Sequence, residues 1–156
     1  MLLAGLTSTV LLLGALAFQY GMGLSPCEMC VWQRWPHLAA GIIGLGGAAL
    51  GSTGALPLRA GVVVALLAIL SIAISGGLGV FHAGVEWKWW EGPGACTLSF
   101  AHGTGTALDF APIPVTRCDE AQWRLFGISL AGYNAMISFA AAFLALALVA
   151  RKGAAK

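Results

Sequence analysis

Four long runs of the chain carry no Asp, Glu, Lys or Arg: residues 1–27, 35–58, 60–85 and 125–150. Each exceeds the ~20 residues a helix needs to cross the hydrocarbon of a bilayer. Inside them apolar residues follow one another without alternation, as in Val62-Val63-Val64-Ala65-Leu66-Leu67-Ala68-Ile69-Leu70. A strand of a membrane barrel would alternate apolar and polar residues over ~10 positions. In hydrocarbon each backbone amide must find its partner within the segment, which leaves helices. The pattern predicts an all-α membrane protein: one domain, 1–156, built as a bundle of four transmembrane helices over about 2–20, 26–52, 58–81 and 128–149. Short links at 21–25 and 52–57 join the first three helices. A long loop, about 83–127, precedes the fourth and holds eight charged residues.

Composition supports this picture. Only 9% of the residues are charged and 59% are hydrophobic, with a mean hydropathy of +0.87. Soluble domains carry about 25% charged residues. Eight Lys and Arg in 156 residues make no basic patch, so no nucleic-acid partner is expected. Ala15-Leu16-Ala17 resembles a signal-peptide cleavage site, but no Lys or Arg precedes the apolar run, so the first helix is expected to be retained. Gly47-Ala48-Ala49-Leu50-Gly51 is a G-x-x-x-G pattern, which permits close helix approach and also arises by chance in a chain with 22 glycines.

Four spans put both termini and the 52–57 link on one side. Lys and Arg divide evenly: Arg59, Arg151, Lys152 and Lys156 there, against Arg34, Lys88, Arg117 and Arg124 opposite. Arg59, Arg151 and Lys152 sit at helix ends in short segments, where the positive-inside bias is counted. The termini are therefore expected in the cytoplasm.

All four cysteines, Cys27, Cys30, Cys96 and Cys118, then face the opposite, oxidising side, where disulfides persist. Cys27-Glu28-Met29-Cys30 is a C-x-x-C, a pattern shared by redox pairs, structural bridges and zinc sites. Ser25-Pro26-Cys27-Glu28 reads as a capping box, with Ser25 as N-cap and Cys27 at a position where the helix dipole favours a thiolate. Arg34 lies one turn beyond Cys30 on the same face, to stabilise a thiolate, hydrogen-bond an acceptor or simply snorkel to the interface. Thr116-Arg117-Cys118-Asp119 reads as a second cap, opening a helix over about 119–126 whose Trp123 and Phe126 would rest on the membrane surface. Cys96 and Cys118 either carry a disulfide to a partner and back or brace the loop. Zinc would need two further ligands, which Cys96 and Cys118 could supply. His82 is expected just past the third helix, to protonate a reduced electron acceptor or to serve as an ordinary interfacial residue. Trp87, Trp89 and Trp90 after it read as an interfacial aromatic belt.

These residues resemble the bacterial disulfide bond formation protein B (DsbB) family along almost the whole chain. Pro26-Cys27-Glu28-Met29-Cys30-Val31-Trp32-Gln33-Arg34 carries most of the likeness, and Cys118-Asp119-Glu120-Ala121-Gln122-Trp123-Arg124-Leu125-Phe126-Gly127 the next part. The resemblance implies a bacterial inner-membrane thiol oxidase with its cysteines in the periplasm. Such an enzyme reoxidises a soluble DsbA-like thioredoxin-fold oxidase and passes the electrons to a membrane quinone, ubiquinone or menaquinone. Carried over, Cys96 forms the mixed disulfide with the oxidase, Cys118 is its partner and exchanges with Cys27. Cys30 lies against the quinone ring, Arg34 holds a quinone oxygen, and His82 matches a histidine near the quinone. Three features depart from the family: Gln33 where some members have an acid, an N-terminus without basic residues, and a short segment between Cys96 and Cys118. A reductase of the vitamin K epoxide reductase type would place its C-x-x-C late in the bundle. The remaining rival is a non-enzymatic membrane protein with structural disulfides or a metal site.

Overall fold

The computed structural model describes residues 1–97 and 116–154. The Pro112-Ile113-Pro114 part of the expected loop, and Lys156, lie outside the described residues. In chain order the elements are α1 (Leu2–Gly21), α2 (Glu28–Ser52), α3 (Leu58–Glu86), the four-residue α4 (Gly94–Thr97), the two-residue strands β1 (Arg124–Leu125) and β2 (Ile128–Ser129), and α5 (Leu130–Ala154). Among the described residues, three helices are long and apolar enough to cross a membrane: α1, α3 and Leu130–Arg151 of α5. The 25-residue α2 matches them in length, but Glu28, Gln33, Arg34 and His37 crowd its first three turns.

α3 packs against both α2 and α5, and α1 packs against α2. The core between them is made largely of small residues, among them Ala4, Ala40, Ala68, Ala142 and Ala145, with Ile72 fully buried. Lipid tails are as apolar as leucine, so helices in a membrane associate by close packing, which small residues allow. α1 approaches α2 closely at Gly5 and Gly44, where a methyl on Gly44 would sit 2.7 Å from Gly5 Cα. The G-x-x-x-G pair lies just beyond: Gly47 receives a Val64 methyl and Gly51 faces the Met1 side chain. Leu13, Ile42 and Phe143 point outward, as a lipid-facing surface requires.

Three local expectations are corrected. α2 begins at Glu28, not at residue 26, because a cysteine and not Ser25 caps it. α3 continues past residue 81 to Glu86, so His82 lies inside the helix. Its polar ring has partners there, and the helix ends only where Lys88 turns to φ +60°. The Trp87, Lys88 and Trp89 amides then close back on the Ala83, Val85 and Gly84 carbonyls. The surface helix expected over 119–126 does not form. Arg117 binds the Asp119 carboxylate at 2.9 and 2.7 Å, which holds this segment in bends. Phe126 and Gly127, at φ +51° and +80°, then make the two-residue turn of a β1–β2 hairpin. Trp123 packs on Phe18 with ring centroids 5.1 Å apart, while Phe126, expected beside it, is 90% exposed at the hairpin tip. The Ser129 hydroxyl accepts the Gly132 amide and starts α5.

Candidate functional site

α1 ends in a reversal that delivers the first cysteine. Gly23, at φ +69°, lets the Met22 and Leu24 amides both reach the Phe18 carbonyl, and the chain doubles back towards α2. Cys27 is extended (φ −74°, ψ 168°) and is itself the N-cap of α2, with its Sγ accepting the Cys30 amide at 3.2 Å. Thiol and cap are thus one group, and the Ser25-based capping box has no role to fill. The Ser25 carbonyl instead accepts from Gln122, which ties the link to the segment before β1.

Cys27 Sγ and Cys30 Sγ lie 2.6 Å apart, with no disulfide between them. Cys96 and Cys118 are joined by a disulfide, with Cα atoms 5.4 Å apart. All four pack in one cluster with Met29 and Val85, so residues far apart in sequence form two adjacent cysteine pairs. Cys96 and Cys118 are 3% and 0% exposed. The Cys118 amide donates to the Cys96 carbonyl at 3.0 Å. Beside the cluster, Lys88 reaches the Asp119 carboxylate from the end of α3. The Arg117 guanidinium, with Lys88, holds the Asp119 carboxyl well below the usual carboxylate range.

His82 stands between the two pairs. Its Nε2 lies 3.2 Å from the Cys118 carbonyl, 3.6 Å from Cys27 Sγ and 3.7 Å from Glu86 Oε1. Its Nδ1 lies 2.8 Å from Gln33 Nε2. Gln33 Nε2 also donates to the Met29 carbonyl at 3.1 Å, so it is the amide nitrogen that faces the ring and His82 Nδ1 accepts. The single ring hydrogen is therefore on Nε2, among three acceptors. Sequence reasoning expected His82 near the electron acceptor. It does line the neighbouring cavity, but its hydrogen bonds go to the cysteine cluster and Gln33.

That cavity, of about 420 Å³, lies between α1, α2 and α5. Ala15 and Phe18 line it from α1, Asn134 from α5, and Cys30, Arg34 and His37 from α2. Arg34 makes no hydrogen bond to either thiol among the described residues. Its guanidinium donates to Gln19 on α1, while its buried Nε has no partner. A mostly apolar cavity of this size with a few convergent polar groups suits a small organic molecule. Two of its polar atoms, Arg34 Nε and His37 Nδ1, are buried and have no hydrogen-bond partner among the described residues.

The sequence reading overlooked His37, Asn134, Ser75 and Gln19. His37 completes an i, i+4, i+7 stripe with Cys30 and Arg34, which was the available signal. The others are single polar residues in apolar runs, which within a membrane are functional suspects by default. Donor atoms of Cys27, Cys30 and His82 lie within 4.8 Å of one another, a geometry that could hold a metal. The four-cysteine zinc site loses two ligands, because Cys96 and Cys118 bind each other.

Comparison with known proteins gives the family. The sequence profile described as "Disulfide bond formation protein DsbB" matches residues 1–148. The chain is similar to the disulfide bond formation protein B of Pasteurella multocida (strain Pm70), 35% identical over 92% of this chain and 81% of that one. It is similar to that of Haemophilus influenzae (strain 86-028NP), 34% identical over 88% and 77%, and to that of Aromatoleum aromaticum, 29% identical over 88% and 82%. No solved structure gives a significant match.

Proposed function

The chain belongs to the DsbB family of disulfide bond formation proteins, and from that membership we propose a specific electron route through it. It is a multi-pass membrane protein of disulfide formation. In our reading α2 is the fourth span, the membrane is the bacterial inner membrane, the termini are cytoplasmic and the cysteines periplasmic. The protein reoxidises a periplasmic DsbA-like oxidase and reduces a membrane quinone.

One observation carries this reading. Cys30 belongs both to the cluster of four cysteines and to the lining of the cavity, so it joins the thiol chemistry to a carrier site. A quinone held there supplies a sink for two electrons and two protons, which is what a dithiol releases on closing to a disulfide. Cys96 exchanges with the dithiol of the oxidase and Cys118 is its leaving partner. Because both are buried, the oxidase reaches Cys96 only when α4 turns outward. Once the quinone has taken two electrons from Cys27 and Cys30 and closed them to a disulfide, Cys118 attacks that disulfide at Cys27, which releases Cys30 as the thiolate facing the cavity. The His82 Nε2–H stabilises negative charge on Cys27, and Arg34 donates to a ring oxygen.

The test is reduction of a soluble ubiquinone analogue by the detergent-purified protein, supplied with a reduced thioredoxin-like oxidase. Cys30→Ser should abolish quinone reduction, and Cys96→Ser should abolish oxidation of the partner. Full turnover in either variant would overturn the route. A folded protein inactive with several quinones and oxidases would return weight to a metal at Cys27, Cys30 and His82.

A further inference from the structure

We propose that His37 Nδ1 is the binding point for a ring hydroxyl of the reduced quinone, so that the cavity favours the reduced carrier over the oxidised one. The inference rests on reading the cavity as a quinone site, and it concerns a residue to which the electron route gives no task.

His37 is 4% exposed and lines the cavity two turns beyond Cys30. Its Nε2 lies 2.8 Å from Asn134 Oδ1. Amide orientation decides what that contact means, and here it is fixed. Asn134 Nδ2 lies 3.2 Å from the Ser75 carbonyl, which can only accept, and 2.7 Å from Gln33 Oε1. Gln33 is oriented in turn by its donation to the Met29 carbonyl. Asn134 Oδ1 therefore faces His37 and accepts from it, as it also accepts from the Ser138 hydroxyl at 2.9 Å. A neutral imidazole that donates through Nε2 carries a bare lone pair on Nδ1. That Nδ1 is buried and has no hydrogen-bond partner among the described residues.

A lone pair discriminates between the two forms of the carrier. A quinone offers only carbonyl oxygens, which accept, so Nδ1 gains nothing from them. A hydroquinone offers hydroxyls, which donate, and one of them satisfies Nδ1. Arg34 differs in kind, because a guanidinium donates to a carbonyl and to a hydroxyl oxygen alike. Arg34 thus holds the ring in either state, whereas His37 reads its oxidation state. A tenfold preference for the reduced ring raises the potential of the bound carrier by about 30 mV for a two-electron couple. That favours electron flow out of Cys30.

The test is equilibrium binding to the full-length protein in detergent, in a Cys30→Ser background so that no electrons move, read by tryptophan quenching. The probes are a short-chain ubiquinone, its hydroquinone, and the dimethyl ether of that hydroquinone, which has no hydroxyl to donate. His37→Leu should weaken hydroquinone binding about five- to tenfold and quinone binding less than twofold. In the unaltered pocket the ether should bind about as weakly as the hydroquinone binds His37→Leu. Equal loss of both redox forms in His37→Leu, or no loss, overturns the proposal. If the leucine variant does not fold, equal affinity of hydroquinone and ether for the His37 protein overturns it instead. Failure of all three rings to bind the His37 protein would overturn the quinone-site reading itself, and is distinguishable from the other outcomes.

Discussion

Replacing His82 with phenylalanine isolates the contact between the two cysteine pairs. The ring hydrogen lies on Nε2, where Cys27 Sγ is 3.6 Å away and the Cys118 carbonyl 3.2 Å. A hydrogen bond to a charged group contributes about 1.5–3 kcal/mol. This one is long and shared, so the lower end applies, about 1.5 kcal/mol or roughly a factor of ten. With Cys96–Cys118 intact, the pH at which Cys27 becomes reactive to iodoacetamide should therefore move upward by about one unit in His82→Phe. Thiol–disulfide turnover should fall about tenfold. The substitution also deprives one Gln33 N–H and the Cys118 carbonyl of the ring, so melting must be followed in parallel. His82→Gln, which keeps an N–H donor, should recover part of the rate. A phenylalanine variant that matches the parent within twofold in both reactivity and turnover would refute the reasoning and leave His82 as packing.

Arg34→Ala should raise the KM for a ubiquinone analogue about tenfold or more, as loss of a charged donor does, and an unchanged KM would assign Arg34 to the membrane interface alone. At Gly79 an added Cβ would lie 2.9 Å from the Ala131 carbonyl oxygen, so Gly79→Leu should force α3 from α5 and cost about 1–3 kcal/mol, seen as a lowered melting temperature in detergent. A melt unchanged from the parent would contradict that packing. Asp119→Asn should cost less than about 1 kcal/mol, since partly exposed pairs contribute little. Because pairing depresses this carboxyl, its contribution is complete above the ordinary carboxylate pKa of about 4 and fades only below it. The melting difference between Asp119→Asn and the parent should accordingly stay constant from neutral pH down to that range.

The long helices were legible because a bilayer forbids charge, and residues 1–27, 60–85 and 125–150 contain none. The cysteine pairs were legible because C-x-x-C is local and loop cysteines are few. What escaped the sequence needs the folded chain. His37 and Asn134 are 97 positions apart, and only the packing of α2 and α5 shows that they meet. The start of α2 was misplaced because serine caps are common and a sulfur cap is not: Cys27 Sγ takes the Cys30 amide, two positions beyond the Glu28 amide that Ser25 was expected to take. The segment after Cys118 was misread because Trp123 and Phe126, three apart, fit a helical face. The left-handed pair Phe126-Gly127 makes a hairpin turn instead, a signal that the spacing masked.

The sulfur that caps α2 also makes the helix sensitive to redox state. Cys27 Sγ anchors the backbone amide of Cys30 and so pins the first turn of the helix. An N-cap contributes about 0.5–2 kcal/mol. Any bond that draws this sulfur towards Cys118 removes it from that amide, and the opening turn is then free to fray. Cys30 would gain its freedom at the stage when its own sulfur has lost its partner and must turn towards the cavity. Amide hydrogen exchange at Cys30 would then report which sulfur Cys27 is bonded to, with the helix terminus acting as a gauge of the chemistry it supports.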